Sequence, residues 1–143
     1  MKFATIGPDK LNQLRHVRYF KNSAGLRAHM KKHGTILKQK FDAMYEVLEN
    51  ELGRLDIADR THAKGGYFVS FNTMTGCAKQ IVDMCAEYGV NFTPAGATYP
   101  HGCDPENRNI RLAPLFASAD EIKNAVTVLS LCTKVVSIER LLK

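Results

Sequence analysis

Between residues 36 and 72 the apolar spacing of this chain changes period, and that change limits what it can fold into. Ile36 or Leu37, Phe41, Met44, Leu48 and Leu52 recur at the i, i+4, i+7 spacing of one helix face. Gly53 follows where helices commonly end. In "GGYFVSFN" the period falls to two: Tyr67, Val69 and Phe71 share one face, and Phe68, Ser70 and Asn72 share the other. "GCAKQIVDMCAEYG" returns to helical spacing, with Cys77, Ile81 and Cys85 aligned and Gly89 at the end. "VNFTP" reads as a short strand. The Gly/Pro-rich loop "AGATYPHGCDPENR" then leads into a strand, "NRNIRLAP". There Ile110 and Leu112 point one way, and Asn109, Arg111 and Ala113 the other. Ser118 and Glu121 form an S-x-x-E capping box for a last helix. Its inward positions are Ile122, Ala125 or Val126, Leu129, Cys132, Val136 and Ile138.

Upstream, "TIGPDK" carries a turn signal, with Pro8 suited to a first helical turn. Leu11, Leu14, Val17 (or Arg18) and Phe20 then follow at helical spacing. "NSAG" breaks that helix, and Ser23 is placed to cap the long one. The order predicts an α+β fold: a small, mostly antiparallel three-stranded sheet covered by helices on one face, preceded by a long helical segment. Such a sheet leaves its other face free to meet a ligand or partner. If Ile110 and Leu112 face the helices, Arg111 faces that ligand.

A length of 143 residues suits one domain. No apolar run approaches the roughly 20 residues that span a bilayer, and "MKFATIGPDK" has no apolar signal core. A cytoplasmic setting is therefore expected, with Cys77, Cys85, Cys103 and Cys132 as free thiols. The net charge of +6 is uneven: the first 40 residues carry +9, with Asp9 their one acid, and the remainder −3. Such a segment fits nucleic acid or an acidic partner; the ordinary reading is a solvated helix face.

Few residues offer chemistry. His29 and His33 have H-x3-H spacing, but a structural zinc site needs four ligands, and no cysteine precedes Cys77. His101 and Cys103 lie in a loop with nothing to orient them as a pair, and His62 has no partner that the sequence names. No phosphate-binding glycine motif is present. Arg111 is the exception: a guanidinium on a strand presents a rigid fork that matches a carboxylate. Its competing reading is a salt bridge to Asp104 or Glu106.

Taken in order, "KGGYFVSF", a helix, "GVNFTPAGATYP", "NIRLAP" and "ADEIKNAVTVLSLC" resemble the C-terminal small domain of a fold-type I, pyridoxal-phosphate-dependent aminotransferase. The resemblance is to the aspartate aminotransferase-like, or MocR-type, branch. It extends through "TIGPDKLNQLRHVRYF" and so covers essentially the whole chain. It implies one domain over 1–143, with 1–22 as the connector from a large N-terminal domain outside this sequence. It implies that Arg111 binds the substrate α-carboxylate and that Phe68 lines the same site. Held there, the substrate has its Cα–H bond perpendicular to the cofactor ring, which serves as electron sink.

The family's cofactor-bonding lysine, phosphate cup and pyridinium partner belong to the large domain. The resemblance thus implies no catalytic residue, cofactor ligand or metal ligand in this chain, and no transamination by the chain alone. It implies pyridoxal 5'-phosphate on the missing domain, amino-acid and 2-oxo-acid substrates, a homodimer, and neither nucleic acid nor membrane as partner. Two alternatives remain open: a stand-alone carboxylate- or amino-acid-binding regulatory module, and a basic nucleic-acid-binding domain.

Overall fold

The computed structural model describes residues 9–143, so the turn at Pro8 lies outside the described residues. The chain divides into two compact units, Met1–Lys38 and Gln39–Lys143.

In the first unit, α1 spans Lys10–Phe20, and α2, Ser23–Leu52, begins. The Asp9 carboxylate caps α1 by accepting from the Asn12 amide at 3.0 Å. The spacing of Leu11, Leu14 and Val17 is helical as expected, yet all three are exposed and α1 has no buried residue. Asn22, not Ser23, caps α2. Its side chain accepts from the Gly25 amide at 3.0 Å, and its carbonyl accepts from Leu26 at 3.1 Å. Asparagine caps as well as serine, so the helix starts one residue earlier than expected.

The second unit holds the remainder of α2, then β1 (Ala58–Arg60), β2 (Val69–Thr73), α3 (Ala78–Glu87), β3 (Asn109–Leu112) and α4 (Ala119–Leu141). The three strands form an antiparallel sheet in the order β1-β2-β3. Val69, Phe71, Ile110 and Leu112 are buried together. Against them lie Met44, Leu48 and Leu52 of α2, Ile81 and Cys85 of α3, and Ile122, Val126, Leu129, Cys132 and Val136 of α4. Each fully buried side chain of this size contributes about 1.5–3 kcal/mol, so this core is what fixes the sheet. The α+β architecture expected from the period changes is present.

Three expectations about its parts need correction. Residues 90–94 form no strand. Gly89, at φ +81°, ends α3, and the Val90 amide turns back to the Cys85 carbonyl at 2.9 Å. A turn at Pro94–Ala97 follows at once. Val90 and Phe92 do pack on the core, so their alternation marked burial, not pairing. The third strand is instead Ala58–Arg60, a short polar edge strand with no apolar alternation to announce it. Likewise β2 begins at Val69, leaving Tyr67 exposed in the preceding bend. On α4, Ile138 is exposed and Ser137 is buried in its stead, because the inward stripe runs through Leu129, Thr133 and Val136.

The helix ends are tied from a distance. Asn107, in the left-handed region at φ +45°, accepts from Lys79 N through its side chain at 3.0 Å and from Ala78 N through its carbonyl at 2.9 Å. It thereby satisfies the first turn of α3. The Ser118–Glu121 capping box forms as expected. Lys123–Glu46 at 2.8 Å and Lys134–Glu51 at 2.5 Å link α4 to α2, each worth at most about 1 kcal/mol.

Three of the four thiols belong to the core, and only Cys103 is exposed. A thiol reagent added to the native chain is expected to modify Cys103 rapidly and the other three only on unfolding, which a timed colorimetric count checks. Burial, with the Cys132 thiol beside it, pushes Cys85 up to about 12. The unfolded thiol ionises near pH 8.5, so this contribution is complete below that pH and is lost as pH rises toward the folded value. Cys85→Ala should therefore cost roughly 1–2 kcal/mol at pH 7. Denaturant melts should show the gap to the parent chain narrowing above about pH 9.

Candidate functional site

The sheet face away from the helices is built by register. Asn72 pairs with both Asp59 and Asn109, and Ser70 pairs with Arg111. These side chains project opposite to Phe71, Ile110 and Leu112, so the face is polar where its reverse is apolar. Asn109 is buried and holds the face together. Its side-chain nitrogen donates to Ser70 Oγ and to Asn72 Oδ1, each at 2.7 Å, and its oxygen accepts from the Thr98 hydroxyl at 2.6 Å. Asn72 donates onward to Asp59 Oδ1 at 2.9 Å. A buried amide without these partners would cost about 1–3 kcal/mol.

Arg111 stands at the end of this row, part-buried, with its guanidinium carbon 4.7 Å from the centre of the Phe68 ring. The ring flanks the cation and favours it electrostatically. Among the described residues no carboxylate pairs with Arg111. Its Nε is enclosed without a hydrogen-bond partner. The two acids that the sequence offered as salt-bridge partners are committed elsewhere. Glu106 pairs with Arg108 at 3.3 Å. Asp104 accepts from the amides of Glu106 at 3.0 Å, Arg108 at 2.7 Å and Asn109 at 2.8 Å. Partial burial tends to raise the Asp104 carboxyl, but the backbone donors from Asn109, Arg108, Glu106 and Asn107 outweigh it and hold the group below the usual carboxylate range.

The loop before β3 is drawn onto the strand by the same device. Gly96 donates to the Asn109 carbonyl at 3.4 Å. It has φ +81°, and a Cβ there would meet the Gly102 carbonyl oxygen at 2.5 Å, so only glycine fits.

Of the residues singled out in sequence, Arg111 and Phe68 are brought together. His101 and Cys103 are both exposed in the loop, and no hydrogen bond joins them. His62 stacks on Tyr45 at 5.1 Å between ring centres, a partner 17 residues away that spacing could not name. His29 and His33 contact each other edge-on at 4.5 Å, with Tyr19 and Phe20 also against His29. No cluster of three or more metal-ligating side chains occurs among the described residues. Sequence reasoning missed Thr98 and the parts that Asn109 and Asp104 play as hydrogen-bonding centres. The available signal was an asparagine at a strand position destined for burial, which demands partners.

A family model described as "Aspartate amino-transferase" matches residues 1–143. A Mycolicibacterium smegmatis relative is 42% identical over 138 residues, which are 96% of this chain and 32% of that protein. The aspartate aminotransferase of Corynebacterium glutamicum is 39% identical over 134 residues, 94% of this chain and 31% of its own length. A crystal structure of an aspartate transaminase from Corynebacterium glutamicum superposes with a TM-score of 0.91 at 38% identity, covering 96% of this chain and 32% of that one. Thermus thermophilus LysN, an α-aminoadipate aminotransferase solved with N-(5'-phosphopyridoxyl)-L-leucine, shares the fold at a TM-score of 0.78 and 22% identity, covering 96% of this chain and 34% of that one. The fold is that of an aminotransferase domain, and the chain belongs to the aspartate aminotransferase family. It spans about a third of the length of the curated relatives it matches.

Asp104→Ala should remove the acceptor for three backbone donors and cost about 1–2 kcal/mol, the site being partly solvated. Because the folded carboxyl is depressed, its contribution is complete above the ordinary carboxylate value near pH 3.9 and is lost as pH falls below it. Urea titrations at pH 7 and pH 3 check the cost and its decline in acid.

Proposed function

We propose that this chain is the C-terminal small domain of a pyridoxal-phosphate-dependent aminotransferase, and that Arg111 binds the α-carboxylate of its amino-acid and 2-oxo-acid substrates. The observation that carries the reading is a strand-mounted guanidinium with an aromatic neighbour and no acid paired to it. An arginine fork takes a carboxylate bidentately, and a rigid strand places it more accurately than a loop would. Phe68 limits solvent on one side of the cation, which strengthens its attraction for an anion. The family membership and the span of one third of the relatives support a division of labour in which the rest of the enzyme lies outside this chain.

The guanidinium here suits a substrate carboxylate, and on this reading the cofactor is held elsewhere. Lys40 donates to the Leu115 carbonyl at 2.7 Å, and Lys123 and Lys134 are paired with acids, so these lysines are already engaged in the fold. The cofactor belongs on the large domain, where it supplies the electron sink for the substrate carbon. This chain's part is to orient: one carboxylate fixed at Arg111 turns an intermolecular encounter into a positioned one. The chain alone is accordingly expected to be inactive, and the complete enzyme to be a homodimer.

In the complete cofactor-loaded enzyme, Arg111→Ala should weaken amino-acid binding about 100-fold or more, since a charge-assisted bidentate contact is lost. Arg111→Lys should recover only part of it, because a point charge lacks the fork. Phe68→Leu should cost a few-fold. Cofactor absorbance should be unchanged in all three. Spectrophotometric substrate titration checks these outcomes; undiminished substrate affinity in Arg111→Ala would remove Arg111 from the site.

A further inference from the structure

The hydrogen bonds on the polar sheet face have a direction, and we infer from it that Ser70 is a second donor to the anion that Arg111 binds, an assignment resting on the reading of Arg111 given above. An ionised aspartate only accepts, so Asp59 fixes the row at one edge. Asn72 turns its nitrogen toward Asp59 at 2.9 Å, which leaves its oxygen directed at β3. Asn109 meets that oxygen with one amide proton and Ser70 Oγ with the other, each at 2.7 Å. The Asn109 oxygen is then left to accept, and the Thr98 hydroxyl donates to it at 2.6 Å. Each amide has one orientation compatible with Asp59, and the outcome at the far end is chemical: Ser70 Oγ is held as an acceptor.

Its own proton must therefore go elsewhere, and among the described residues no acceptor takes it. Ser70 is directly opposite Arg111 in the β2–β3 register. Side chains so paired have Cβ atoms about 4.5–5.5 Å apart on one face. A carboxylate bound by Arg111 then shares this sheet face with a hydroxyl that has a proton to give, and such a bond to an ionised acceptor is stronger than a neutral one. The relay from Asp59 through Asn72 and Asn109 presets Ser70 as a donor before the ligand arrives.

Both donors belong to this chain, and the test is made on the complete cofactor-loaded enzyme that carries it. The enzyme, labelled with 15N in its arginine side chains, is titrated with succinate, a dicarboxylate with no amino group to react, following the Arg111 Nε–H resonance. The expected result is a saturable shift that Arg111→Ala abolishes and Ser70→Ala makes about tenfold weaker. Ser70→Thr, which keeps the hydroxyl, should stay within about twofold of the parent. Asn109→Asp puts an acceptor-only group against Ser70 Oγ and draws its proton away. Its added charge acts whether or not Ser70→Ala is also present, so a double-mutant cycle isolates the hydroxyl. The cycle should be strongly non-additive. Unchanged affinity in Ser70→Ala, with Arg111→Ala still abolishing binding, overturns the role of Ser70 alone. Additive effects of Asn109→Asp and Ser70→Ala overturn the relay. No saturable shift, or binding that survives Arg111→Ala, overturns carboxylate capture at Arg111 and the role of Ser70 with it.

Discussion

The pairing of β2 with β3 is the constraint on which both faces of the sheet depend. In the register Phe71↔Ile110, Val69 and Leu112 join the core and Ser70 and Arg111 face away from it. A slip of one residue would put Arg111 into that core and Ile110 into solvent. Burial of apolar side chains selects against this from one side. Asn109 selects against it from the other: its buried amide finds Ser70, Asn72 and Thr98 only in the observed register. The residue that stabilises the register also organises the polar face, so the placement of the proposed carboxylate site is not separable from the stability of the sheet.

A second dependence runs through the turn at residues 104–108. Asp104 gathers the amides that enter β3, and Asn107 satisfies the first turn of α3. The Thr73 amide closes on the Arg108 carbonyl at 2.8 Å. One short turn therefore joins the end of β2, the start of α3 and the start of β3. The Gly96 loop adds a further contact to the Asn109 carbonyl. Such convergence explains why a loop rich in glycine and proline has a defined course: its backbone groups are spent on the elements that flank it.

What was legible in the sequence was periodicity and what local chemistry dictates. The helix ending at Leu52, the apolar faces of β2 and β3, the aligned Cys77, Ile81 and Cys85, and the Ser118 capping box each depend on residues close together in the chain. What was hidden depends on partners far apart. β1 is three residues, Ala58–Arg60, whose pairing with β2 is set by backbone bonds and not by an apolar pattern. Asn107 caps a helix that begins 29 residues earlier. Val90 and Phe92 alternate as a strand does, yet they merely place two side chains on the core while the backbone leaves α3. The site divides the same way. Arg111 stood out because a permanent cation interrupts an apolar strand; Asn109 did not, because its importance lies in Ser70, Asn72 and Thr98.

The disposition of charge around the sheet bears on what Arg111 is for. Arg60 reaches Glu49, and Arg108 reaches both Asp59 and Glu106. Each of these cations also has an enclosed Nε without a partner, as Arg111 does, so that feature alone does not distinguish it. The difference lies in the outer nitrogens, which in Arg60 and Arg108 are spent on carboxylates. Asp104, seven residues before Arg111 in sequence, could have neutralised it; its oxygens are instead held by backbone amides. A part-buried guanidinium kept from its nearest acids retains a desolvation cost that an internal salt bridge would have offset. Removing that cost requires an anion from outside the chain, and binding such an anion recovers what the fold leaves unmet. On the proposed reading a substrate carboxylate is that anion, and the unmet cost favours its capture by Arg111.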